Sequence, residues 1–232
     1  DASDYVYVVS SVCRDMLCEH YKVFTDKFVV IPNGYMGDLY YETPNERMNI
    51  SNEIRAKENL TDKFVVTFVG SLKVWHGIKN FCNAAQAMEK YNDIVFMVLG
   101  DGEMHDLIAN YASSHKNMIF KGKVNLETMK KYLYTSDLGI MPYEKKDNFY
   151  YSPLKMFDMI GAGLPFIGTS VGQIEEICQE AGASECLMDN NSVETIVKKL
   201  LYLKGKTIQN CFIRDNYTWE KRTEQLINKI RS

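Results

Sequence analysis

From position 63 to about 203, short apolar runs alternate with stretches whose apolar residues recur every three or four positions. Residues 63–70 (KFVVTFVG), 93–99 (DIVFMVL), 117–120, 137–141, 164–168 and 185–188 are short runs rich in β-branched, aromatic or aliphatic residues, and predict buried strands. Between them the period changes. Residues 77–91 carry Ile78, Phe81, Cys82, Ala85 and Met88 at helical spacing, and a second helix is predicted over 103–113. A third begins near Asn125 as N-cap, with Thr128 three positions on and Leu126, Met129 and Leu133 along one face. Further helices are predicted over 152–162, 173–180, 193–203, 208–215 and 218–230. Strands and helices in strict alternation require right-handed crossovers and a parallel sheet covered on both faces, which makes the fold class α/β.

The first 33 residues do not extend that sheet. Residues 5–9 predict a strand, 11–21 a helix capped by Ser10 or Ser11, and 28–31 a second strand before a Pro32-Asn33-Gly34 turn. From there to position 62 the chain is polar, contains Pro44 and offers one short helical candidate over 51–59, so this stretch is expected to be a connector. A chain of 232 residues suits one large core with an appendage. Its 46% hydrophobic and 25% charged residues are ordinary for a globular protein, and a net charge of -3 argues against nucleic acid as a partner. No apolar run reaches the roughly 18 residues of a membrane span, and no secretion signal opens the sequence. The six cysteines form no Cys-x-x-Cys pair and sit mostly among apolar residues, which fits buried thiols and a cytoplasmic location.

In a parallel α/β sheet, ligands bind beyond the carboxyl ends of the strands. Three such ends stand out. Gly70-Ser71-Leu72-Lys73-Val74-Trp75-His76-Gly77 joins a strand to a helix; its glycines allow close backbone approach, and Lys73 and His76 add cationic or donor groups. By itself this loop is equally compatible with a plain connection over which Trp75 packs. Gly100-Asp101-Gly102 lacks the third glycine of a dinucleotide fingerprint, His105 standing there, and reads as a tight turn. The richest is Tyr150-Tyr151-Ser152-Pro153-Leu154-Lys155. Ser152 as N-cap and Pro153 in the first turn would leave the N–H groups of Leu154 and Lys155 facing an anion, with the lysine beside it. Asp158, further along the helix, would be repelled by a phosphate and is expected to accept hydrogen bonds from sugar or ribose hydroxyls. No Asp-x-Asp pair occurs, so no metal is expected and a bound diphosphate or similar anion would be neutralised by lysines and helix dipoles.

These segments together resemble the retaining glycosyltransferases of family 4, which have the two-domain GT-B architecture. The matching pieces, in the family's order, are Ile31-Pro-Asn-Gly34, Phe68-Val-Gly-Ser-Leu72, Trp75-His-Gly77, Val98-Leu-Gly-Asp-Gly102, Phe120-Lys-Gly-Lys-Val124, Ser136-Asp-Leu-Gly-Ile-Met-Pro142 and Ser152-Pro-Leu-Lys-Met-Phe-Asp158 through Gly163-Leu-Pro165. The resemblance implies a Rossmann-like nucleotide-sugar-binding domain over 63–232, a connector over 34–62, and over 1–33 the remnant of the acceptor-binding domain. It implies that Lys73, His76 and the backbone of Gly70, Ser71 and Gly77 stand near the donor diphosphate. The backbone at Lys123 and Val124 would meet the base, and Tyr150, Tyr151, Ser152, Pro153, Leu154 and Lys155 the phosphates or sugar, with Asp158 on the ribose. The sequence departs from the family where a pair of glutamates is usual, at Tyr150 and Asp158. It departs again at Ser71 and His76, where arginine and lysine are usual.

The implied reaction breaks the anomeric carbon–oxygen bond of a nucleotide sugar and passes the sugar to a hydroxyl with retention, without a cofactor. Lys73 and Lys155 are then the residues expected to stabilise the departing diphosphate. Partners would be the nucleotide sugar, a glycan, lipid-linked or small-molecule acceptor held by the other domain, and, for a split enzyme, a second subunit. The family's acceptor half leaves peripheral contact with a membrane open. Two other readings remain: a GT-B-fold sugar-nucleotide epimerase, and a non-catalytic nucleotide-sugar-binding subunit.

Overall fold

The computed structural model describes residues 3–146, 148–204, 206 and 212–231. Its elements keep to the expected alternation: β1 (Val6–Val8), α1 (Ser11–Tyr21), β2 (Phe28–Val30), α2 (Pro44–Lys57), β3 (Phe64–Val69), α3 (Ile78–Ala87), β4 (Ile94–Leu99) and α4 (His105–Ser114). Next along the chain are β5 (Met118–Phe120), α5 (Leu126–Thr135), β6 (Leu138–Met141), α6 (Leu154–Ala162), β7 (Phe166–Thr169), α7 (Gly172–Glu180), β8 (Leu187–Met188), α8 (Val193–Leu203) and α9 (Trp219–Arg231). Strands β3 to β8 form one six-stranded sheet in the order β5-β4-β3-β6-β7-β8, and β1 and β2 pair in a sheet of their own. Every pairing is parallel. The α/β class and the separate N-terminal β-α-β unit are as the sequence pattern predicts.

The period of two along β3 explains why both faces of the sheet are covered. Val66 and Phe68 point into a core shared with Ile78, Phe81 and Cys82 of α3 and Ile196 and Leu200 of α8. Val65 and Val69 point the other way, into a core with Met129 and Leu133 of α5 and Met156, Phe157 and Ile160 of α6. A strand buried on both faces has no side chain left for a ligand. Chemistry is therefore confined to the loops at its end.

Two expectations are corrected. The helix of the connector is not a short one over 51–59 but α2, fourteen residues from Pro44, opened by a capping box in which Thr43 and Glu46 satisfy each other's backbone N–H. Pro44 marks the first turn rather than a break, because the first residues of a helix have no N–H bond to lose. α2 lies along α5 and is tied to the sheet by Arg55, whose guanidinium meets the Asp137 carboxylate at 2.6 Å. Half of the helix expected over 208–215, positions 208–211, lies outside the described residues, and its last two positions belong to a 3-10 turn, Arg214–Tyr217. Ser10, not Ser11, caps α1, accepting from the Cys13 N–H at 3.1 Å. Cys82 and Cys178 are buried thiols. Among the described residues no helix is long and apolar enough to cross a membrane.

Gly100 does more than turn the chain. Its φ is +146°, and a Cβ there would fall 1.8 Å from the carbonyl oxygen of Gly70. The loops after β3 and β4 are thus in backbone contact, fastened by Leu72 N–H donating to Asp101 O at 2.9 Å and Met104 N–H to Leu72 O at 3.1 Å. Gly100→Ala is expected to cost at least about 2 kcal/mol, read as a lowered midpoint in urea unfolding, because both φ and the contact must give. A variant as stable as the parent would show that these loops do not depend on their close approach.

Candidate functional site

The chain leaves β3 towards β4 and β5 on one side, while β6 leads to β7 and β8 on the other, so β3 and β6 are the neighbours at which the strand order reverses. Beyond their carboxyl ends lies the crevice where such sheets bind ligands. Loop 70–77 lies on one side, and residues 142–144 and 149–153 on the other. Trp75 is held between Tyr143 and Tyr151, with ring centroids 5.7 and 4.7 Å away and near-parallel planes. Phe149 meets both tyrosines edge-on, and Glu144 N–H donates to Trp75 O at 3.3 Å. Gly77 adopts φ +71° with its missing Cβ only 1.6 Å from Pro142 O. Its role is to let the start of α3 meet the end of β6.

Lys155 lies at the centre. Its Nζ is buried and has no hydrogen-bond partner, resting 4.1 Å from the Phe68 ring centroid and 5.2 Å from that of Tyr143. Gly70 covers it: a Cβ there would lie 3.0 Å from Lys155 Cε and 3.3 Å from Nζ. Aromatic faces attract an ammonium but replace only part of its hydration. Burial therefore drives the Lys155 pKa down to about 7.

The same burial changes the expected role of His76. Its ring is only 6% exposed, and Nδ1 lies 2.6 Å from Ser71 O. Desolvation, with the Lys155 charge nearby, lowers its pKa to about 4. His76 is a neutral brace of the loop at physiological pH, not a cation. Lys73 and Ser71 are exposed on the same loop. Lys73 and, when protonated, Lys155 bring positive charge to the crevice.

At the start of α6 the expected cap is also corrected. Pro153, not Ser152, occupies the capping position, and no side chain caps the helix. The Ser152 hydroxyl is taken instead by long-range partners, accepting from Asn33 N–H at 3.0 Å and donating to Gln173 Oε1. Leu154 is exposed at the helix start, where the first N–H groups have no intrahelical acceptor. Tyr150 donates through its hydroxyl to that of Tyr151 at 3.0 Å. Asp158 sits just over one turn along α6, half-buried, accepting from the Tyr40 hydroxyl at 3.0 Å. Burial, partly offset by that bond, raises its pKa to about 6. The loop after β5 brings Lys123, exposed, and Val124, packed against the α5 face of the core. Gly100 N–H donates to Gly122 O at 2.8 Å, joining that loop to the other two. The crevice thus unites Gly70, Ser71, Lys73, His76, Gly77 and residues 150–155. Tyr143, Phe149 and Gln173 belong to its surroundings and lie beyond the sequence expectations, though the aromatic spacing 143, 149, 151 hints at the first two; Tyr40 packs further along α6, against Tyr35 and Tyr134. Among the described residues no three His, Cys, Asp or Glu side chains are grouped as for a metal ion.

This is the Rossmann-like α/β fold of GT-B glycosyltransferase structures. Residues 63–205 match the family of glycosyl transferases group 1, and the chain belongs to it. It is 24% identical to an uncharacterized glycosyltransferase of Methanocaldococcus jannaschii over 237 residues, covering 96% of this chain and 57% of that protein. It therefore spans little more than half of that relative. The fold superposes on Anabaena HepE in complex with UDP-glucose with a TM-score of 0.76, at 14% identity, over 99% of this chain and 64% of the other. For S. aureus TarM, crystallised with Fondaparinux, alpha-GlcNAc-glycerol and UDP, the values are 0.71 and 17%, over 99% and 44%.

Because the folded pKa of Lys155, about 7, lies below that of a solvated lysine, the unfolded chain binds more protons above pH 7. The burial penalty is full below pH 7 and fades as pH rises towards the ordinary lysine value. Lys155→Met is accordingly expected to stabilise the ligand-free protein, on the order of 3 kcal/mol at pH 6, and by half of that or less at pH 9. Denaturant unfolding at both values measures it. A difference that does not change with pH would mean that the ammonium is not buried.

Proposed function

We propose that this chain is the donor-binding part of a retaining, metal-independent glycosyltransferase. It would take a nucleoside diphosphate sugar into the crevice between β3 and β6, with uracil as the base, as in the UDP-glucose and UDP of the similar Anabaena and S. aureus structures. The observation that carries this reading is Lys155: a buried ammonium without a partner, beneath Gly70 and at the open end of α6. Such a group is stabilised by the arrival of an anion. A diphosphate there would also meet the free N–H groups at the start of α6 and the side chain of Lys73.

In the proposed reaction the bond from the anomeric carbon to the diphosphate breaks, and its electron pair leaves on the phosphate oxygen. The acceptor hydroxyl oxygen forms the new bond on the same face, and its proton departs with the diphosphate. The change in charge is greatest on the leaving oxygen. Fixed positive groups beside it, Lys155 and Lys73, therefore lower the barrier more than they tighten the ground state. The neutral His76, Gly77 and the aromatic stack of Trp75 shape the pocket. Asp158 is assigned to the ribose hydroxyls, sharing its carboxylate with Tyr40, and the backbone at Lys123 and Val124 to the base. The acceptor is assigned to a second half, on the same polypeptide or a partner subunit, working in the cytoplasm or at the membrane surface. No further cofactor enters this scheme.

Isothermal titration with UDP-glucose tests it. Lys155→Met is expected to weaken binding by about 10- to 100-fold and Lys73→Ala by roughly 3- to 10-fold. EDTA should leave the parent's affinity unchanged. Equal affinity in the parent and both lysine variants would defeat the assignment, and loss of binding in EDTA would defeat metal independence.

A further inference from the structure

The Pro32-Asn33-Gly34 turn belongs to the N-terminal unit, yet its bonds run to the loop before α6. Asn33 N–H donates to Ser152 Oγ at 3.0 Å, and Asn33 Nδ2 donates to Ser152 O at 2.8 Å. Ser152 Oγ in turn donates to Gln173 Oε1, and Gln173 Nε2 donates to Val9 O. Beside them the hydroxyl of Ser10 donates to Tyr150 O at 2.8 Å. Ser10, Gln173 and Ser152 are at most 8% exposed. Three buried side chains and the half-buried Asn33 thus form one connected network, in which loss of one partner strands another.

Asn33 itself has little freedom. The next residue, Gly34, would place a Cβ 2.8 Å from Tyr217 O. Tyr35 N–H donates to Tyr217 O at 2.9 Å, and Trp219 N–H returns to Tyr35 O at 3.0 Å. Arg222, on α9, donates through Nε to Asn33 O at 3.3 Å. On the far side of the loop, Gly172 has φ +45° and would bring a Cβ to 2.3 Å from Phe149 O. Residues 149–153 are held from both sides, by the N-terminal turn and by the start of α7.

We infer that Asn33 and Gln173 are positioning residues of the donor site. They fix the Tyr150–Pro153 backbone, and with it the start of α6, in register with the N-terminal unit and α9. A shift of either is then passed to the groups that receive the diphosphate, although neither Asn33 nor Gln173 touches it. This rests on the donor-site reading of the α6 start given above.

Hydrogen exchange of the full chain, read by mass spectrometry, tests the latch without any ligand. In Asn33→Ala and Gln173→Met, amides of 149–156 are expected to exchange at least 10-fold faster while those of β3 and β4 are unchanged. A destabilising control, Asn117→Ala, removes a buried bond from Nδ2 to Ala85 O on the far side of the sheet and should not speed exchange in 149–156 selectively. The dissociation constant for UDP-glucose should rise at least 5-fold in both latch variants and stay within 2-fold in the control. In the unmutated chain, UDP-glucose should slow exchange in 31–35 as well as in 150–156, which needs no variant to fold. Unchanged exchange in 149–156 in a folded latch variant, or ligand protection that stops short of 31–35, overturns the latch. Failure of the unmutated chain to bind UDP-glucose would count against the donor reading, while the ligand-free exchange would still decide the latch.

Discussion

A parallel sheet buried on both faces spends every strand side chain on packing, and the rest of this protein is shaped by that constraint. β3 supplies Val66 and Phe68 to one core and Val65 and Val69 to the other. The strands can therefore act only through the loops at their carboxyl ends, and those after β3, β4, β5 and β6 meet on one side of the domain. Their meeting requires backbone to touch backbone. Gly70 against Gly100 and Gly77 against Pro142 are the tightest of these approaches, where a single methyl group would force the loops apart.

Within that frame the crevice is organised around a charge kept out of water. Lys155 has Phe68 below, Tyr143 beside and Gly70 above, and no acceptor within reach. An isolated surface lysine would gain little from a phosphate, since it would trade one well-hydrated state for another. A lysine already stripped of water gains more, because the anion restores what burial removed. The cost is borne by the fold, in the dense packing of α6 against the sheet. His76, neutral and braced on Ser71, lets the loop close over the lysine without adding a second charge.

The alternation of strands and helices was legible because period two and period 3.6 are written directly in the apolar positions. The strand limits agree to within a residue or two, and the N-cap at Asn125 is as expected, with its side chain accepting from Thr128 N–H at 2.8 Å. What failed was what depends on distant contacts. Pro44 reads locally as a break, yet Thr43 and Glu46 make it a helix start. Ser152 reads as a cap, yet Asn33, 119 positions away, takes its hydroxyl. His76 reads as a cationic or donor group until its burial removes the first option, and the Tyr40 hydroxyl that bonds Asp158 lies 118 positions away. The site could be named by its loops, but the charge state of its residues could not.

The account stands or falls on whether the buried ammonium waits for a diphosphate. Proton uptake on binding UDP-glucose, from titrations at pH 8 in two buffers of different ionisation enthalpy, measures this directly. With a ligand-free pKa of about 7, Lys155 is mostly neutral at pH 8 and should take up about one proton as the ligand binds, an uptake that Lys155→Met abolishes. Binding without proton uptake, or the same uptake in the variant, would contradict the account.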